Sequence, residues 1–161
     1  MKTFEDIYTE NYKAMHRVAK KMVGNIDDVP DIVQEIFIDF FTKTNNGNVI
    51  HNPKNWLYKA TINKCVDNLR KRKKFQTTES LAAFKIEEET IENHDLKTAM
   101  DHAISKLKPH EKILTAFYSE GLSYKELAEV TGIRYSSIGK VLSRTLRKIE
   151  KELRKQHYEL Y

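Results

Sequence analysis

Residues 121–149 read GLSYKELAEVTGIRYSSIGKVLSRTLRKI, two helical patterns separated by Thr131-Gly132. Ser123 and Glu126 have capping-box spacing: the hydroxyl takes the Glu126 amide and the carboxylate returns to the serine amide. The helix they open carries Leu127, Ala128 and Val130, with Ala128 small where two helices would cross. After Gly132 a longer helix runs from about Tyr135, with Ile138, Leu142, Leu146, Ile149 and Leu153 spaced by three and four for burial. Short helix, glycine turn and longer basic helix form the helix-turn-helix plan, in which the second helix enters the DNA major groove by its N-terminal end. A basic face that is merely solvated has the same composition, so this pair by itself supports only generic DNA binding. Gly139 lies inside the reading helix at a cost of about 1 kcal/mol relative to alanine. It fits two readings, close approach to a DNA backbone or a tolerated helix defect.

Upstream of this pair, a helix from Asp95 carries Leu96, Ala99, Met100, Ala103, Ile104 and Leu107 and stops at Lys108-Pro109. Proline also opens the next helix, PHEKILTAFYSE, whose stripe is Ile113, Leu114, Phe117 and Tyr118, with Gly121 placed as its stop. Residues 75–94 have weak periodicity and a negative balance, including Glu87, Glu88 and Glu89, and read as a linker.

The N-terminal half is also helical. Phe4, Ile7, Tyr8, Tyr12, Met15, Val18, Ala19 and Met22 recur at helical spacing until Gly24-Asn25. The next helix has Asp27 or Asp28 as N-cap and Pro30 in its first turn. It buries Ile32, Val33, Ile36, Phe37, Phe40 and Phe41 and turns Asp31, Gln34, Glu35 and Asp39 outward, a face that solvent alone would satisfy. TNNGNVIHN is a loop, and Asn52-Pro53 starts a third helix with Asn as N-cap and Pro as its first residue. Tyr58, Ile62, Cys65, Val66 and Leu69 make its buried stripe, with Cys65 a small core hydrophobe rather than a reactive thiol. Trp56, Lys59, Asn63, Asp67, Arg70, Lys71 and Lys74 project elsewhere. Cations neutralise phosphates, amides read base edges and aromatic faces stack on unpaired bases, so this face suits DNA. Trp56 suits a core position equally well.

Composition narrows the function classes. The 161 residues carry a net charge of +5, with 32% charged and 40% hydrophobic residues, as in a soluble globular chain. Five glycines and three prolines leave few helix breakers. The charge is blocked as basic, acidic, basic: RKRKK at 70–74, a run from Glu79 to Asp95, then Arg134 to Lys151. That order fits two nucleic-acid-facing modules and a spacer. One cysteine excludes an internal disulfide framework and a cysteine-based zinc site, and no cofactor or metal is expected. No segment has the twenty apolar residues of a membrane span, so no stable membrane insertion is expected. MKTFEDIYTEN is unlike a signal peptide, and a cytoplasmic location is expected. An enzyme acting on nucleic acid needs convergent carboxylates for metal ions, whereas consecutive Glu87–Glu89 would fan outward on a helix.

DDVPDIVQEIFIDFF, the Asn/Gly-rich loop and NPKNWLYKATINKCVDNLRKRKK together resemble region 2 of bacterial RNA polymerase sigma factors. LKPHEKILTAFYSEGLSYKELAEVTGI followed by SRTLRKIEKEL is similar to region 4 of the same family, and the nearest group is the extracytoplasmic-function (ECF, group IV) sigma factors. The resemblance implies an all-α fold of two small helical domains joined by a flexible linker. Residues 1–74 would be region 2, binding core polymerase and the -10 element, and 95–161 region 4, binding the -35 element, with 75–94 as linker. It makes Asp31, Gln34 and Glu35 core-polymerase contacts. Asn46, Asn48, Trp56, Lys59, Asn63, Asn68 and Arg70 become the promoter surface of region 2. Ser136, Ser137, Lys140, Ser143 and Arg144 become the reading surface of region 4, with Arg134 and Arg147 on phosphates. Pro30 departs from the family's usual residue, as do Arg134, Ser137, Gly139, Lys140 and Val141 in the second module, where Ser136 would take over capping. The implied function is promoter-specific initiation without catalytic residues, with core RNA polymerase and promoter DNA as partners and any anti-sigma factor a separate protein. The alternative, a stand-alone helix-turn-helix regulator, leaves the VQE helix and the aromatic-basic helix without a role.

Overall fold

The first helix starts where a capping box closes on it. Thr3 Oγ1 accepts from the Asp6 amide (3.2 Å), and the Asp6 carboxylate accepts from the Thr3 amide (2.9 Å). This helix, α1, spans Phe4–Met22; α2 spans Val29–Asn45 after a single 3-10 turn at Ile26–Asp28, and α3 spans Pro53–Phe75. The remaining helices are α4 (His94–Ser105), α5 (Pro109–Ser119), α6 (Tyr124–Thr131) and α7 (Tyr135–Lys155). The computed structural model describes residues 1–23, 25–75 and 94–156, and all regular structure among them is helical. The expected linker and its acidic run lie outside the described residues, apart from Phe75, which ends α3, and His94, which begins α4.

The chain divides into two compact units, α1–α3 and α4–α7. In the first, each helix packs on the other two around Met15, Val18, Val33, Ile36, Phe40 and Leu57, all essentially excluded from solvent. The stripe expected on α3 is partly displaced. Leu57 and Thr61 are fully buried beside Tyr58 and Cys65, whereas Ile62, Val66 and Leu69 are half-buried. Thr61 is tolerated because its hydroxyl donates to the Leu57 carbonyl (2.8 Å). Burial pushes the Cys65 thiol up to about 12, so it stays a protonated core group. Phe41 is not buried as expected: it lies at the rim of the apolar arc, edge-on to Phe4 at 5.0 Å, with 45% of its surface exposed.

Among the described residues, three glycines with positive φ end helices: Gly47 after α2, Gly121 after α5 and Gly132 after α6. Gly47 completes a Schellman turn, its own amide reaching the Thr44 carbonyl (3.2 Å) and that of Asn48 the Lys43 carbonyl (3.1 Å). In the second unit α4 packs on the C-terminal half of α7 through Ala99, Ala103, Ile149 and Leu153, joined by Leu107 just after α4. Phe117, Leu114, Leu127, Ile138 and Leu142 fill the rest of the core. Leu146, expected inside, is 41% exposed, and Thr145 takes the central place with its hydroxyl on the Val141 carbonyl (2.8 Å). Tyr118 and Leu96 are likewise exposed at the rims of their stripes.

Candidate nucleic-acid interface

Asn52 begins the first candidate surface. Its side-chain oxygen accepts from the Asn55 amide (3.1 Å), capping α3 so that Pro53 needs no amide donor. At about 100° per residue, Trp56, Lys59, Asn63 and Arg70 fall within ~60° of one another on α3. Lys59, Asn63 and Arg70 are exposed, as is the neighbouring acid Asp67. Trp56 is partly packed into the core and partly exposed. One edge packs against Phe40 at 5.5 Å, and the half-buried ring lies under the Lys43 ammonium, 5.9 Å from its centroid. Lys43 is a missed member of this surface, because it belongs to a different helix and only the fold brings it over the indole.

The loop residues behave differently from one another. Asn46 is exposed as the C-cap of α2. Asn48 is exposed but spends its amide donor on the Lys43 carbonyl (3.2 Å), so it closes the helix end as well as facing solvent. Val49, next to it, is 76% exposed. Asn68 does not join the α3 face. It lies roughly opposite, half-buried, with its amide donating to Asp28 (3.2 Å) and its Oδ1 enclosed from solvent.

Asp31, Gln34 and Glu35 are all exposed on α2 but point into different surroundings. Gln34 lines an open groove between α1 and α2 with Phe4, Tyr8, Tyr12, Ile38 and Phe41. Glu35 pairs with Lys64 of α3 (3.2 Å), which also reaches Asp39 (3.3 Å). These partners hold the Lys64 ammonium above its ordinary value: the Glu35 hydrogen bond leads, burial opposes it and Asp39 adds.

The second surface is α7. Ser136, Lys140, Ser143 and Arg147 lie within ~60° of one another, all exposed, with Arg144 exposed beside them. Ser137 sits further round and is half-buried. Arg134, exposed, is the N-cap residue, and no side chain caps the helix. The expected transfer of capping to Ser136 does not occur, because α7 begins at Tyr135 and places Ser136 within its first turn. The capping box of α6 forms: Glu126 N–H donates to Ser123 Oγ (3.2 Å), and the Ser123 amide donates back to the carboxylate (2.8 Å). A Cβ added at Gly139 would sit 3.6 Å from Cε2 of Tyr124, an ordinary contact. Gly139 therefore faces α6 across the helix crossing, at the edge of the exposed face.

Buried Glu111 braces this surface from behind. It accepts from the Lys108 amide (2.9 Å) at the start of α5 and from Lys148 of α7 (2.5 Å). Burial works against its ionisation, but those hydrogen bonds hold its carboxyl below the ordinary value. Lys148, in the basic block by sequence, is thus tied into the fold. No group of three or more His, Cys, Asp and Glu side chains arranged for a metal ion occurs among the described residues.

Residues 7–75 match the family model for sigma-70 region 2, and 97–149 that for sigma-70 region 4. The RNA polymerase sigma factor SigV of Bacillus subtilis is 30% identical over 156 residues, covering 92% of this chain and 89% of the relative. The ECF RNA polymerase sigma factor SigW of Bacillus subtilis is 23% identical, with 92% and 86% covered. In fold, the chain resembles the sigma factor RpoE of Bartonella quintana, solved in complex with the anti-sigma factor NepR. That match has a TM-score of 0.69 at 19% identity and covers 93% of this chain and 98% of the other. CnrH, solved with the cytosolic domain of CnrY, matches equally well, with a TM-score of 0.69 at 18% identity over 94% of this chain and 88% of that one.

Proposed function

The chain belongs to the sigma-70 family of RNA polymerase sigma factors, and from that membership we propose how its two units divide the work. As a sigma factor it directs core RNA polymerase to promoters and supports initiation of transcription. Within the family we assign it to the ECF group, in keeping with its ECF relative SigW. Residues 1–74 act as region 2, 95–161 as region 4 and 75–94 as the connection. The work is done by binding surfaces rather than by catalytic groups, in the cytoplasm with the polymerase. No described helix is long and apolar enough to cross a membrane.

Asp31, Gln34 and Glu35 on α2 engage core polymerase. The α3 face of Trp56, Lys59, Asn63 and Arg70, with Asn46 and Asn48 of the preceding loop, takes the opened -10 region. A flat indole beside cations stacks on unpaired bases and neutralises their phosphates. The α7 face of Ser136, Lys140, Ser143 and Arg144 enters the major groove of the -35 duplex, where small polar side chains reach base edges, while Arg134 and Arg147 hold phosphates. Since RpoE and CnrH were each solved with a binding protein, a separate anti-sigma protein is a further partner of this chain. The observation that carries the reading is the presence of two basic faces of different chemistry, one on each sigma region.

Purified protein should co-elute with core polymerase and support run-off transcription from its cognate promoter. Absence of core binding at low salt would favour the stand-alone regulator instead. Lys59→Ala and Arg70→Ala should impair promoter opening while core binding holds, and Gln34→Ala should weaken core binding.

A further inference from the structure

Five consecutive cations, Arg70 to Lys74, close α3. At about 100° per residue Arg70, Lys71 and Arg72 leave the helix in different directions, so they cannot all face one strand. Their attraction to phosphate is nevertheless independent of base sequence. Each surplus cation that swings onto DNA adds affinity for every duplex alike and lowers the ratio of promoter to non-promoter binding.

The structure disposes of one of the five. Arg72 donates from both Nε (2.9 Å) and Nη2 (2.6 Å) to Asp28 Oδ2, and Asn68 adds a third bond to the same oxygen (3.2 Å). Lys64, Asn68 and Arg72 follow at intervals of four, on the side of α3 away from Trp56, Lys59, Asn63 and Arg70. On that side Lys64 is held by Glu35 and Asp39 of α2, so acids preceding or within α2 occupy α3's inward cations along its length. Asp28 occupies the N-cap position of α2 yet makes no capping bond. Its backbone is helical (φ -79°, ψ -18°) rather than in the extended conformation that turns a capping side chain back onto the first-turn amides, and its carboxylate goes to Arg72 instead.

We infer that Asp28 stands in for a DNA phosphate: it holds Arg72 on the inner side of α3 and thereby withholds that cation of the run from promoter DNA. Asp28 is thus a positioning residue that acts through Arg72. Burial raises its carboxyl, but the bonds from Asn68 and Arg72 and the guanidinium charge outweigh that and keep it ionised at neutral pH. The inference rests on the reading of the α3 face as a promoter surface, and the test separates the two.

The full chain is titrated with a non-promoter duplex across a range of KCl concentrations, and the slope of log K against log salt is read. Arg70→Gln should make the slope shallower by about 0.9, the loss of one phosphate contact. Arg72→Gln should leave it unchanged. Asp28→Asn should steepen it by about 0.9 as the released guanidinium finds a phosphate, and the Asp28→Asn/Arg72→Gln double variant should return to the wild-type value. In reconstituted holoenzyme, Asp28→Asn should lower the promoter-to-non-promoter binding ratio several-fold. A purely structural Asp28 would lower the melting temperature without steepening the slope, and that result overturns the inference. So does a slope for Arg72→Gln as shallow as that for Arg70→Gln, which stands as the test if Asp28→Asn fails to fold. If neither Arg70→Gln nor Lys59→Gln changes the slope, on this duplex or on single-stranded -10 DNA, the promoter face itself is wrong and the role of Asp28 falls with it.

Discussion

The exposed faces of α3 and α7 are both basic, yet they are built differently. The α3 face centres on a large ring that is wedged against Phe40 and roofed by Lys43. The α7 face carries Ser136, Lys140, Ser143 and Arg147, with no aromatic residue among them and the core-bound Glu111–Lys148 pair at its flank. A broad half-buried ring cannot slide into a groove between paired bases but offers a platform for an unpaired one. Small hydroxyls and flexible cations fit the opposite case, a closed duplex read from its major groove. The difference teaches that net charge alone does not say which form of DNA a helix suits; the size and anchoring of the side chains between the charges do.

The strongest way to break this contrast is to remove what lies beneath the ring. Phe40→Ala should cost about 3–5 kcal/mol of stability. Urea unfolding followed by the fluorescence of Trp56, the sole tryptophan, measures it. Removing the ring itself separates the two faces functionally. Trp56→Ala should lower holoenzyme affinity for single-stranded -10 DNA roughly 5- to 150-fold, the equivalent of one stacked base, while binding to -35 duplex persists. On the other side, Glu111→Gln weakens the bonds that tie α7 to the start of α5. It should destabilise the second unit by about 1–3 kcal/mol, read as a lower melting temperature by circular dichroism.

Acid should erode both units through few carboxylates. Bonds from Lys106 and Lys155 bring the Glu152 carboxyl from 4.5 to about 2, and Glu111 and Asp28 are also lowered. Groups with depressed folded values stabilise fully above their unfolded values and lose that contribution as pH falls through the folded ones. For Glu152 the window is about 4.5 down to about 2. Urea midpoints should therefore fall as pH is lowered below about 4.5, and Lys106→Met should reduce that fall. Gly139→Ala is the smallest change. Its Cβ meets only the Tyr124 ring at contact distance, so it should stabilise α7 by about 0.5–1 kcal/mol. Unchanged -35 affinity would identify Gly139 as a tolerated defect, and a large loss would show that DNA needs the missing Cβ.

Helix positions and ends were legible because they depend on neighbours in the chain. The Ser123–Glu126 box, the Asn52-Pro53 start and the stop at Gly121 follow from local donors, acceptors and allowed φ, and the structure forms all three. Stripe rims were not legible. Phe41 and Leu146 have apolar spacing but lie where the neighbouring helix no longer covers them, while Thr145 is buried because an intrahelical bond satisfies its hydroxyl. Asn68 was misjudged for a related reason. Its residue type suits base reading, and only the packing of α3 against the start of α2 reveals Asp28 as its partner.

The sequence by itself determined an all-helical chain, its caps and breaks, and the two family regions that make it a sigma factor, since each depends on periodicity or on motifs contiguous in the chain. Tertiary structure alone decided which cations remain outward. Lys43 comes over Trp56, Lys64 goes to Glu35 and Asp39, and Arg72 goes to Asp28, pairings across 13, 29, 25 and 44 residues. Charge carries no direction until packing places its partner, and that is why the outward-facing subset of a basic run cannot be read from the run.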